Sequence, residues 1–108
     1  MIFCKLGVIL FFDAGCRQPL KPPEAKALIR AILEAGGVRW GDHALKELAK
    51  DDLEVSDAIN VLRGGVVRDP EWENGEWRYH VETPRICIVV AFRSETVLRV
   101  VTAWRKKR

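Results

Sequence analysis

Helices first and then an antiparallel sheet of about four strands, an α+β domain, is what this sequence predicts, on three observations. Apolar residues recur at helical spacing as far as Leu62, then alternate with polar ones at a period of two from Val66 onward. Each change of pattern falls on a turn-forming pair: Gly36-Gly37, Gly64-Gly65, Asn74-Gly75, Thr83-Pro84 or Ser94-Glu95. The 108 residues are 48% apolar, enough for one domain with a real core and too apolar for disorder throughout.

Taken in order, residues 1–20 allow two readings, an extra edge strand or an extension outside the core, and the second is expected. The apolar run Val8–Phe12 is too short to span a membrane. Lys5 and Asp13 fit a secretory signal poorly, and Asp13 and Ala14 precede Cys16 where a lipid-anchor motif wants a branched apolar residue. Pro19, Pro22 and Pro23 break regular structure, so the domain is set at residues 21–108. Proline in the first turn opens a helix from Lys21, with Ala25, Leu28, Ile29, Ile32 and Leu33 on one face and Gly36-Gly37 closing it. Val38–Trp40 reads as a short extended link. Asp42 caps a second helix through His43, Leu45, Leu48 and Ala49. Ser56 or Asp57 starts a third, with Ala58, Ile59 and Leu62 inward, ended by Gly64-Gly65. Strands follow at Val66–Arg68, around the tight Asn74-Gly75 hairpin, at Arg85–Arg93 and at Val97–Arg105.

Strict alternation sorts these strands into two faces. Trp77, Tyr79 and Val81 oppose Arg78, His80 and Glu82. Ile86, Ile88, Val90 and Phe92 oppose Arg85, Cys87, Val89, Ala91 and Arg93. Leu98, Val100, Thr102 and Trp104 oppose Val97, Arg99, Val101, Ala103 and Arg105. One face buries a core, and the other offers Arg78, Arg85, Arg93, Arg99, Arg105 and His80. Guanidinium groups are always charged and match phosphate bidentately, so this is the chemistry of an anion-binding face. The net charge of +3 lies wholly in the second half, which ends Arg105-Lys106-Lys107-Arg108. Glu76, Glu82 and Glu95 are too few to neutralise five arginines. The alternative is a solvated face whose surface ion pairs contribute little, and the tail is either solvated or a phosphate contact.

His43, at a helix start, either caps that helix or carries protons. His80, among arginines on the polar face, either faces solvent or acts as a base whose pKa those cations depress. Of the four tryptophans, Trp72 alone lies in a polar setting, between Glu71 and Glu73. Cys4, Cys16 and Cys87 form no close pair, which implies a reducing cytoplasm without a structural disulfide. With no Cys-x-x-Cys pair and two histidines far apart in sequence, no metal site is expected. No glycine-rich phosphate loop is present, and no cofactor is expected.

The stretch from His43 to Arg105 resembles a family of small bacterial proteins in the barnase–EndoU–colicin–RelE group of ribonuclease toxins, near the RelE and MqsR toxins. Four marks carry the resemblance: His43-Ala44 at a helix start, Gly64-Gly65 after the next helix, Gly75-x-x-Arg78-Tyr79 on a strand, and Val101-Thr102-Ala103-Trp104 on the last strand. Where the family pattern often has an arginine in the turns after the histidine, Lys46 and Lys50 stand here. The resemblance implies a RelE-like fold, a curved sheet binding RNA on its open side, and a toxin paired with a cognate antitoxin that covers that side. It also implies metal-independent cleavage of RNA by attack of a ribose 2′-OH on the adjacent phosphate, leaving a cyclic phosphate and a 5′-OH; the alternative is a non-catalytic module of the same fold that binds RNA or a protein through its arginines. His43, Arg78 and Thr102 match family positions. His43, or failing that His80, would move the proton; Arg78 and Arg93 would stabilise the phosphate; Tyr79 or Thr102 would orient it; Arg85, Arg99 and Arg105 would hold the RNA. Thr102 poses a conflict, because strict alternation turns it to the core and only a bulge in the last strand would free it.

Overall fold

The computed structural model describes residues 19–106. The readings made for residues 1–18, including Cys4, Cys16 and the apolar run, and those for the last two residues of the basic tail, lie outside the described residues. Helix α1 spans Pro22–Ala35, α2 Asp42–Lys50 and α3 Val55–Gly64; the strands are β1 (Val38–Trp40), β2 (Val66–Val67), β3 (Glu71–Glu73), β4 (Glu76–Glu82), β5 (Ile86–Phe92) and β6 (Leu98–Arg105).

Local chemistry explains the boundaries. In α1 the Lys21 amide donates to Glu24 Oε1 at 3.0 Å, satisfying one free donor of the first turn. Gly36, at φ +78°, ends the helix in the left-handed region, where the Gly37 amide reaches back to Ile32 O. Buried Ala25, Ile29 and Ile32 follow at helical intervals. Gly41, not Asp42, caps α2. Helix α3 starts earlier than the sequence suggests, because the Glu54 amide donates to Asp57 Oδ2 at 2.8 Å and winds in the first turn. Its buried set is accordingly Ala58, Val61 and Leu62, with Ile59 at the margin.

The α+β class holds, but the sheet is larger than expected and mixed. Among the described residues it has six strands in the order β1-β6-β5-β4-β2, with β3 paired to β4. The added strands are β3, which completes the Asn74-Gly75 hairpin, and β1. Both turn residues of that hairpin have positive φ, as a tight right-twisting connection requires. The supposed link Val38–Trp40 is β1, paired in parallel with β6: Val38 with Leu98, Arg39 with Arg99, Trp40 with Val100. Three residues cannot announce a strand whose partner lies some sixty residues away.

Helices α1, α2 and α3 pack on one face of the sheet. Ala25, Ile29, Ile32, Ala44, Leu48, Ala58, Val61 and Leu62 meet Tyr79, Val81, Ile88, Val90, Leu98, Val100 and Ala103 in one core. Fully burying a leucine- or isoleucine-sized side chain contributes roughly 1.5–3 kcal/mol, so this layer carries the fold. Leu20 joins it, one residue before the expected domain start. The other face, here the open face, has a smaller apolar patch of Val89, Ala91 and Val101 with Trp104 against it. Among the described residues no helix is long and apolar enough to cross a membrane.

Candidate nucleic-acid interface

The open face is organised by register. Ala91 faces Arg99, and Arg99 faces Arg39. Because Tyr79 faces Val90, Arg78 flanks Ala91 on the far side. Arg78, Ala91, Arg99 and Arg39 thus form a transverse row across four strands, roughly 15 Å long at normal strand spacing. The next row along is His80, Val89 and Thr102; beyond it come Glu82, Cys87 and Trp104.

The conflict at Thr102 is resolved by a bulge. Val89 pairs with Thr102 while Val90 pairs with Val100, so Val101 has no opposite number. Val101 and Thr102 therefore both point to the open face, and parity reverses for the rest of the strand. Ala103 drops into the core, Trp104 moves to the open face, and Arg105 swings towards the helices. Arg105 there donates from its backbone amide to Asp51 Oδ2 at 2.7 Å and from its guanidinium to the carbonyls of Asp51 and Asp52. Its expected place on the arginine face is thus corrected by one inserted residue.

The arginines of that face differ sharply in their engagements. Arg78, its side chain only 15% exposed, donates from Nε to Glu76 Oε2 at 2.9 Å and from a terminal nitrogen to Glu73 Oε1 at 3.2 Å. Glu76 also holds Arg93 at 3.1 Å. Two of the expected phosphate ligands are therefore already paired with carboxylates. Arg85 is exposed at the β4–β5 turn. Arg39 and Arg99 are different: among the described residues neither side chain has an ion pair or hydrogen bond. Arg99 Nε passes 3.8 Å from where a side chain on Gly41 would begin, so its guanidinium leans along the β1 edge.

Two expected residues are placed elsewhere. Tyr79 is completely buried, its hydroxyl donating to Leu20 O at 2.8 Å, so it belongs to the core and not to an RNA surface. His43 is exposed on α2, whose Ala44 and Leu48 pack on the face opposite Arg78. It follows β1 in the chain, while Arg78 lies on β4, three strands away in the sheet order. Trp72 is 53% exposed and stacks edge-on against Trp77, with ring centres 5.2 Å apart.

His80 has other neighbours than the guanidinium groups expected. Its Nε2 lies 3.9 Å from Glu71, its Nδ1 3.7 Å from Cys87 Sγ, and its ring edge-on to Trp104. Beside it Glu82 binds Lys106 through Oε1 and Arg68, at 3.4 Å, through Oε2. The Lys106 hydrogen bond, aided by both positive charges, holds the Glu82 carboxyl below the usual carboxylate range. Burial, reinforced by the Glu82 charge, pushes the Cys87 thiol up to about 11. Such a thiol is no nucleophile at neutral pH. Sequence spacing missed this cluster because Cys87 meets Glu82 only through the register of two strands.

No protein-family model matches the chain, and no curated protein or solved structure matches it either.

Proposed function

We propose that the chain binds RNA through the open face of its sheet, with Arg39 and Arg99 as the primary phosphate contacts. One observation carries this reading: two arginines sit side by side on adjacent strands with no described carboxylate to neutralise them. Like charges opposed across strands cost stability, on the order of 0.2–1 kcal/mol. A bridging phosphate removes that cost and satisfies both forks bidentately. The row continues through Ala91, small enough to let a backbone lie flat, towards Arg78. The likeness to RelE-group toxins supports the same ligand, and a cognate antitoxin would cover the same face.

Cleavage is the second reading, favoured by the bulge that brings Thr102 to the face carrying His80. In it His80, on the same face of β4 as Arg78, carries the proton. The RelE-like assignment and a pairing with an antitoxin are compatible with both readings; ribonuclease activity belongs to the second alone.

A gel-shift titration against single-stranded RNA at several salt concentrations tests the first. Wild type should bind with steep salt dependence, and Arg39→Ala/Arg99→Ala should weaken binding at least tenfold. It should also flatten the log–log salt slope by about 1.4, since each lost contact on a single strand is worth about 0.7. Equal binding by the double variant ends the reading. In the same gels, run with EDTA, cleavage by wild type that His80→Ala loses would promote the second reading.

A further inference from the structure

From the side chains at the far end of the open face we infer a site for a divalent d-block cation of the zinc type, with His80, Glu82 and Cys87 as its protein ligands. Their ligating atoms all lie within 4.8 Å of one another. The Nδ1 to Sγ distance is 3.7 Å. Zinc held tetrahedrally by one imidazole and one thiolate sets that separation at roughly 3.6 Å from its ordinary bond lengths. Two ligands are therefore already spaced as the ion would hold them.

Two further features point the same way. His80 turns Nδ1 to the sulfur, and its Nε2 lies 3.9 Å from the exposed Glu71, an ionic neighbour beyond hydrogen-bond reach. The donor set of nitrogen, sulfur and carboxylate oxygen, with one position left for water, is typical of an open zinc site. The ammonium of Lys106 now occupies Glu82 Oε1, the cationic place next to the ligands. Binding thus releases one proton from Cys87 to solvent and frees Lys106 from Glu82. The site stands apart from Arg39 and Arg99 and rests on neither functional reading above. A metal on His80 and proton transfer by His80 exclude each other.

The experiment is a Co²⁺ titration, without RNA, of EDTA-stripped full-length protein carrying Cys4→Ser and Cys16→Ser, so that Cys87 is the one thiol. One equivalent should bind with a near-ultraviolet thiolate-to-cobalt band, and Zn²⁺ should bleach it. Cys87→Ser should abolish the band. His80→Ala should weaken binding more than tenfold. Lys106→Met should tighten it, because a competitor for Glu82 is gone. Absence of the band with Co²⁺ in excess overturns the site, as does a band that survives Cys87→Ser. Should Cys87→Ser prove misfolded by circular dichroism, His80→Ala decides: it removes a half-buried ligand side chain without touching the strand hydrogen bonds, and wild-type affinity in that variant overturns the site.

Discussion

Tyr79 illustrates how one residue can satisfy a motif and yet serve another purpose. It sits beside Arg78 in a pattern that suggests an RNA contact, but its parity places it with Trp77 and Val81, and burial is complete. Its hydroxyl has to find a partner inside, and Leu20 O supplies one. Tyr79→Phe keeps the ring, including its edge-on contact with Phe92, and strands the carbonyl. The expected loss is about 1–2 kcal/mol, read as a lowered urea midpoint with an unchanged slope. RNA affinity should not move. A variant of wild-type stability with weakened RNA binding would return Tyr79 to the surface role its motif suggests. The face of Tyr79 was legible from alternation alone. Its hydrogen bond was not, because the acceptor lies 59 residues away.

At the scale of elements, the short strand β1 sets the proposed interface, and one glycine sets β1. A Cβ on Gly37 would stand 1.8 Å from Thr96 O, so no side chain fits without moving the backbone. The Gly37 carbonyl accepts the Leu98 amide at 3.0 Å, the bond that starts the β1–β6 ladder and aligns Arg39 with Arg99. Gly37→Ala should therefore cost at least about 1–3 kcal/mol as an overpacked contact and also weaken RNA binding. Gly36→Ala is the control. Gly36 has a left-handed backbone but open space around it, so the change should cost about 1–2 kcal/mol and leave RNA binding alone. Thermal melts and gel shifts of both variants separate the two effects. The Gly36-Gly37 pair was legible as a helix stop. That its second member is a packing site for a distant loop was not, since nothing local encodes Thr96. The β-bulge was equally hidden: strict period two runs through Val101 without a break in hydropathy, and only the pairing partner reveals the extra residue.

For the whole molecule, the last described strand, β6, lies inside the sheet between β5 and β1, closing it against the strand that follows α1. The α+β class was readable because helical and alternating periods occupy separate halves. The mixed topology and the His80–Glu82–Cys87 cluster were not, because both arise from register between strands. Arg105 shows what this closure requires. After the bulge it faces the helices, and its guanidinium binds the carbonyls that end α2 and begin the following turn. Asp52 in that turn has φ +58°, a strained conformation for a residue with a side chain, and the Arg105 contacts help hold it. Arg105→Ala leaves the amide bond to Asp51 in place and removes the guanidinium bonds. These are long and exposed, so the expected loss is about 1 kcal/mol, a melting decrease of roughly 4–8 °C for a domain of this size. Asp52→Gly in the Arg105→Ala background should recover part of that loss, because glycine adopts positive φ without strain. RNA affinity should stay near wild type in both, in contrast to the loss expected from Arg39→Ala/Arg99→Ala. If Arg105→Ala instead cuts RNA affinity while leaving the melting temperature alone, the strand end faces the ligand in solution and the reversal of parity after Val101 is wrong.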